Sequence, residues 1–140
     1  MSQENAEFVE GLFRAADGMD KQELLAALPQ LIAEICDPEI EWIEDPLRAD
    51  ARVHRGHDGV RESWERWVEG FDEFSVELER VVDCGENVFV VGREQARGAT
   101  SGAPVSSHTY AVLTMRDGKL LRYREFSDEG AALQAAGLER

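Results

Sequence analysis

From Phe74 to Ser127 the chain is built almost entirely of alternating apolar and polar runs joined by tight turns, which narrows the fold more than any other feature. Phe74–Cys84, Val88–Arg97, Val105–Met115 and Leu120–Ser127 each read as a strand. Gly85-Glu86-Asn87 and Arg116-Asp117-Gly118 are short enough to turn each flanking pair into a hairpin, and a loop from Gly98 to Pro104 joins the two hairpins. Consecutive hairpins make an antiparallel meander, and one of its faces must be covered.

The cover lies upstream. Residues 4–17 place Phe8, Val9, Leu12, Phe13 and Ala16 on one helical face, with Gly18 closing the run. Asp20 opens a second helix with Glu23 completing a capping box; Leu24, Leu25 and Leu28 form its stripe. Pro29 is expected to open a new turn, with Leu31, Ile32 and Ile35 carrying burial on to Cys36. Asp37-Pro38 then breaks the helix. Glu39–Glu44 alternates as a short strand with Ile40 and Trp42 on one side, and Asp45-Pro46 ends it. Residues 47–57 read as a loop. Asp58 reads as the cap of a helix carrying Val60, Trp64, Trp67, Val68 and Phe71, and residues 129–138 read as a short closing helix ended near Gly137. Helices followed by a meander make an α+β fold, a single domain over residues 1–140.

Charge removes several functions. The chain has 29 acids against 15 bases, a formal net charge of -14, and its field repels nucleic acid and anionic membranes. No run approaches the roughly 20 apolar residues of a membrane span, and the polar, acidic start MSQENAEF is unlike a secretory signal. Cys36 and Cys84 are too few for a disulfide framework, so two free thiols in a reducing, cytoplasmic setting are expected. Arg93, Arg97, Arg122 and Arg124 fall on candidate strands. They form either a solvated sheet face or a locally positive concave pocket.

The order of these elements resembles the SnoaL-like branch of the nuclear-transport-factor-like superfamily over essentially the whole chain. The residues that carry the resemblance are Glu44-Asp45-Pro46, Arg55-Gly56-His57, the Trp-bearing helix, Asp117-Gly118-Lys119, Tyr123-Arg124-Glu125-Phe126 and the closing 131–138 segment. It implies a cone: N-terminal helices packed on a strongly curved antiparallel sheet around a buried pocket for a small apolar ligand. It also implies homodimerisation through the outer sheet face; no cofactor is expected.

Candidate site residues follow from alternation and from that resemblance. Phe89, Val91, Arg93 and Gln95 share one face of their strand, as do Leu121, Tyr123 and Glu125 on the last strand. Placing Arg93 beside Glu125 would join a guanidinium to a carboxylate in a partly dry cavity. Arg93-x-Gln95 falls where the related limonene epoxide hydrolase has Arg-x-Asp, but Gln95 cannot ionise, which leaves Glu125 as the acid or base with Arg93 holding its charge. Asp45 resembles the proton-shuttling Asp of ketosteroid isomerase, although the first helix lacks that family's donor Tyr; alternatively Asp45 is a turn residue before Pro46. Tyr110 and Tyr123 are the phenols available, and His108, beside Tyr110 on its strand, faces either the pocket or an outer dimer surface. Trp42, Trp64 and Trp67 form either an aromatic wall for a flat ligand or part of the core, Trp67 favouring the core. His54 and His57 lack a third ligand of defined geometry, so no metal site is expected.

Two readings remain open. One is an isomerase, cyclase or hydrolase acting on an apolar or carbonyl-bearing substrate through Glu125, Arg93 and Asp45, with Gln95, Tyr123, His108, Tyr110, Trp42, Trp64 and Phe89 as ligand contacts. The other is a non-catalytic binding or dimeric interaction module of the same fold.

Overall fold

The meander forms as its turns dictate: Asp117 and Gly118 both take positive φ, 52° and 78°, the requirement of a two-residue turn that matches the twist of its strands. The structure, a computed structural model, describes residues 2–16, 19–98 and 101–138. Asp17 and Gly18, where the first helix was expected to end, lie outside them, as do Ala99 and Thr100 of the loop between the hairpins. In chain order the elements are α1 (Ser2–Ala16), α2 (Lys21–Ile35), β1 (Cys36–Ile43), β2 (Val53–Arg55), α3 (Gly56–Glu69), β3 (Phe71–Cys84), β4 (Asn87–Gly98), β5 (Pro104–Arg116), β6 (Lys119–Phe126) and α4 (Glu129–Ala136).

The strands form one sheet in the order β2-β1-β6-β5-β4-β3. Strands β3 to β6 pair antiparallel in sequence, whereas β1 lies parallel to β6, so the sheet is mixed; it curls without closing. Register shifts in β3 between Leu78 and Arg80, and between Thr114 and Met115 in β5, mark irregularities of the kind that bend strands.

Both faces of the sheet are covered. On the concave face Val9, Leu24, Leu28, Ile32, Val60 and Val68 from the helices meet Val88, Val90, Ala111 and Leu113. On the convex face Ala132, Leu133 and Ala136 of α4 pack on Phe89, Val91 and Val112. Phe89 and Val112 are fully buried there, each contributing roughly 1.5–3 kcal/mol.

The expected capping box is present: Glu23 N–H donates to Asp20 Oδ1 at 2.8 Å and Asp20 N–H to Glu23 Oε1 at 3.0 Å. Five features differ from expectation. Pro29 sits inside a continuous α2, whose packed stripe compensates for one missing N–H donor. Pro38 falls within β1, in the stretch where the pairing with β6 shifts register. Helix α3 starts at Gly56, with Arg55 rather than Asp58 at its cap, and Phe71 belongs to β3. The segment read as a loop contains β2, which pairs with β1 through Trp42 and His54.

Candidate functional site

A hollow of about 500 Å³ lies between the helices and the concave face of the sheet. Its helical wall follows from helix periodicity: Val60, Ser63, Trp64 and Trp67 of α3 stand at i, i+3, i+4 and i+7 and all line it. Strand β4 contributes Val90, Gly92 and Glu94, β5 contributes Thr109 and Ala111, and β6 contributes Tyr123 and Glu125. One arc of the wall is aromatic. Tyr123 stacks on Trp42 with centroids 3.8 Å apart, Trp42 meets Trp64 edge-on at 6.2 Å, and Trp67 links Trp64 at 5.8 Å to Phe71 at 5.0 Å. Cys36 also borders the hollow; burial pushes its thiol up to about 11, so it remains protonated and unreactive at neutral pH.

The charged part of the wall has two centres. The first is Glu44, 6% exposed, at the end of β1. Its Oε2 accepts from Ser63 Oγ at 3.0 Å and contacts His54 Nε2 at 2.9 Å. Its Oε1 accepts from the Arg52 amide at 3.1 Å and lies 3.5 Å from Arg48 and 3.6 Å from Arg66. Gly59 lets α3 approach closely enough for this: a Cβ there would meet the Cβ of His54 at 3.1 Å. Burial pushes the Glu44 carboxyl up, but the bonds from His54, Ser63 and the Arg52 amide outweigh it and hold it below the ordinary carboxylate range.

The second centre is Glu125. Its Oε1 accepts from Arg48 at 3.1 Å and from the Asp45 amide at 3.2 Å. Burial raises its pKa, the Asp45 amide and Arg48 oppose this, and the negative charges of Glu94 and Glu44 add to the rise; the net shift is upward. Tyr123, two residues earlier on the same strand face, is pushed well above the ordinary phenol range, first by burial and then by Glu125, Glu94 and Glu44. A carboxyl of raised pKa thus shares a strand face with a phenol that stays a neutral donor, the pairing acid/base chemistry uses.

Of the residues expected at the pocket, Glu125, Tyr123, Trp42 and Trp64 line it. Arg93 does not. Strand β4 presents its even-numbered residues inward, so Phe89, Arg93 and Gln95 lie on the convex face. Arg93 sits 3.9 Å from Glu79 there, in place of the expected partnership with Glu125. His108 pairs in register with Arg93 and bonds the same Glu79 at 3.0 Å, while Tyr110 packs with the α4 cluster; both therefore belong to the convex face too. Phe89 is core under α4. Asp45 is not among the lining residues: its Oδ1 accepts from the Leu47 amide at 3.0 Å, making it the turn residue that presents its own amide to Glu125. Nor do the late arginines make a positive pocket. Arg122 bonds Glu41 on the surface and Arg124 bonds the Ala135 carbonyl on α4; the guanidiniums at the hollow are Arg48 and Arg66.

Sequence reasoning passed over Glu44, Arg48, Ser63, Arg66 and Glu94, and considered His54 only as a metal ligand. A signal existed for Glu44, since alternation puts it on the same side of β1 as Trp42, and for Glu94, the neighbour of the chosen Arg93. His57, paired with His54 as a possible metal ligand, instead donates from Nε2 to the Cys36 carbonyl at 2.9 Å.

Known proteins of this shape are numerous. No curated protein matches the sequence. Among solved structures, a candidate SnoaL-like polyketide cyclase from Jannaschia sp. CCS1 is 21% identical, with a TM-score of 0.72 over 99% of this chain and 95% of that one. TerC, co-crystallised with polyporic acid, is 18% identical, with a TM-score of 0.67 over 96% and 98%. An NTF2-like protein from Burkholderia thailandensis E264 is 25% identical, with a TM-score of 0.68 over 95% of each chain. The SnoaL-like domain family matches residues 9–123, and with a curled sheet closing on helices around a lined hollow, the chain belongs to that family.

Proposed function

We propose that the hollow binds an apolar, carbonyl-bearing small molecule and moves a proton on it by general acid/base chemistry. One observation carries the reading: Glu125 lines an apolar cavity of about 500 Å³ with its pKa raised, beside a neutral Tyr123. In its ionised form Glu125 takes a proton from the carbon next to the carbonyl. The C–H electron pair moves onto the carbonyl oxygen as the enolate forms, and the Tyr123 hydroxyl donates a hydrogen bond to that oxygen. Return of the proton to the same or another carbon completes exchange or isomerisation. Arg48, held by Glu44, Asp50 and Glu125, fixes the direction of the carboxylate. The family likeness to a candidate polyketide cyclase supports a carbonyl-rich ligand.

A second reading has its own support: the 3.1 Å Arg48–Glu125 pair is also what a purely binding pocket would need to neutralise a buried charge. Deuterium exchange separates the two. With 2-tetralone in D2O, followed by NMR, the protein accelerates incorporation next to the carbonyl, and Glu125→Gln lowers that rate by about 100-fold or more. No acceleration, or a rate unchanged in Glu125→Gln, leaves only the binding reading.

We also propose a homodimer through the convex face beyond α4, supported by the ordered Glu79–His108–Arg93 cluster on that face. Sedimentation of the chain against His108→Glu tests it; a monomer of the unsubstituted chain at micromolar concentration contradicts it. The free Cys36 and Cys84 support a cytoplasmic, reducing location, testable by fractionation. No helix among the described residues is long and apolar enough to cross a membrane.

A further inference from the structure

The charges around the hollow do not balance. Among the described residues four carboxylates border it, Glu44, Asp50, Glu94 and Glu125, against two guanidiniums, Arg48 and Arg66. Both guanidiniums are engaged: Arg48 reaches Glu125 at 3.1 Å and Glu44 and Asp50 at 3.5 Å, and Arg66 reaches Glu44 at 3.6 Å. That leaves Glu94. It accepts from the Ser107 hydroxyl at 3.4 Å and meets no cation among the described residues. Gly92, which precedes it on the inner face of β4, carries no side chain to screen it from the cavity.

The rest of the wall suits the same charge. The continuous arc from Tyr123 through Trp42, Trp64 and Trp67 to Phe71 offers electron-rich ring surface, which attracts cations within about 6 Å of a ring centre. An anion would find the guanidiniums already bonded and would approach a chain of net charge -14. A neutral apolar molecule would fill the cavity and leave the Glu94 charge facing it.

We propose that the ligand is a hydrophobic cation, an amine-bearing molecule whose ammonium group rests at Glu94 and whose apolar body lies along the aromatic arc. This rests on the reading of the hollow as a small-molecule pocket and specifies the charge of what enters it: an amino ketone rather than a keto acid. Glu94 is then the residue that selects the ligand, and Glu125 remains free for the proton.

Three probes of matched shape test this: benzyltrimethylammonium, its neutral carbon isostere neopentylbenzene, and phenylacetate. The three tryptophans, Trp42, Trp64 and Trp67, all border the hollow, so their fluorescence reports entry, with calorimetry as a check. The cation binds about tenfold more tightly than the isostere, and phenylacetate binds more weakly than either. Glu94→Gln removes the cation's advantage and leaves the isostere's affinity unchanged. In the unsubstituted protein, raising salt narrows the same advantage, a readout that does not depend on the variant folding. Equal binding of cation and isostere, preference for phenylacetate, or a cation preference that survives Glu94→Gln overturns the assignment. Binding of the isostere without preference removes only the charge assignment and leaves the pocket standing. Failure of all three probes to bind overturns the assignment and the pocket reading together.

Discussion

Two corners of one hollow hold a glutamate each, Glu44 buried and Glu125 half-buried, and treat it in opposite ways. Where β1 meets β2 and α3, Glu44 is surrounded by donors: His54, Ser63, the Arg52 amide and two guanidiniums. Where β6 meets the Arg48 loop, Glu125 has Arg48 and the Asp45 amide, and beyond them apolar wall and further negative charge. Burial pushes both upward. At Glu44 the bonds from His54, Ser63 and the Arg52 amide outweigh it, whereas at Glu125 burial, with the negative charges of Glu94 and Glu44, outweighs the Asp45 amide and Arg48, so Glu44 ends low and Glu125 ends high. The first glutamate fastens three elements together. The second is left able to exchange a proton.

The largest effect that breaks this contrast is Glu44→Ala. It leaves His54 and Ser63 buried without their partner and costs about 3 kcal/mol in a urea melt at neutral pH. Because its pKa is depressed in the fold, the stability Glu44 supplies is present above the ordinary carboxylate range and is lost as pH falls through its folded value. The gap between wild type and Glu44→Ala therefore narrows in acid. A gap that widened there would reverse the assignment.

Glu125→Gln gives the opposite pH dependence. A carboxyl raised in the fold supplies stability below its unfolded pKa and loses it as pH climbs through the folded value. Melts of Glu125→Gln and wild type thus converge toward pH 4, and at pH 8 the variant is at least as stable. A variant clearly weaker at pH 8 would mean that the Arg48 pair, not burial, governs Glu125.

Arg48→Ala sharpens the comparison at a smaller cost, within about 1 kcal/mol because the side chain is partly exposed. Glu125 loses its cation and rises further, while Glu44 keeps His54, Ser63 and the Arg52 amide and stays below the ordinary range. Parallel movement of both, read by NMR, would show a shared rather than a divided site. Smallest of all, Arg93→Ala on the convex face changes stability by about 0.5 kcal/mol or less and leaves tryptophan quenching by pocket ligands untouched. A change in quenching would put Arg93 back in the pocket.

That last prediction marks where the sequence stopped being informative. The meander, its turns and the amphipathic helices were legible because period and turn chemistry agree. Which face of β4 looks inward was not. Val88, Phe89, Val90 and Val91 are all buried, since α4 covers one face and the helices the other, so alternation carries no contrast there. Just beyond, Arg93 and Glu94 are adjacent charges on opposite faces, and choosing Arg93 discarded the carboxylate that borders the cavity. The Glu44 corner was hidden differently. Strand β2 spans only Val53–Arg55, too short to alternate visibly, and without it His54 looked like a loop residue rather than a buried partner. Only the β6 residues Tyr123 and Glu125, with Trp42 and Trp64, were placed from alternation and likeness alone.

The most direct measurement of this division is a carboxyl carbon NMR titration of the intact protein with Glu44 and Glu125 assigned. Glu125 titrates above the ordinary glutamate value of about 4.3 and Glu44 below it. A Glu125 that titrates at or below that value would contradict the picture of a carboxyl raised by burial at the hollow.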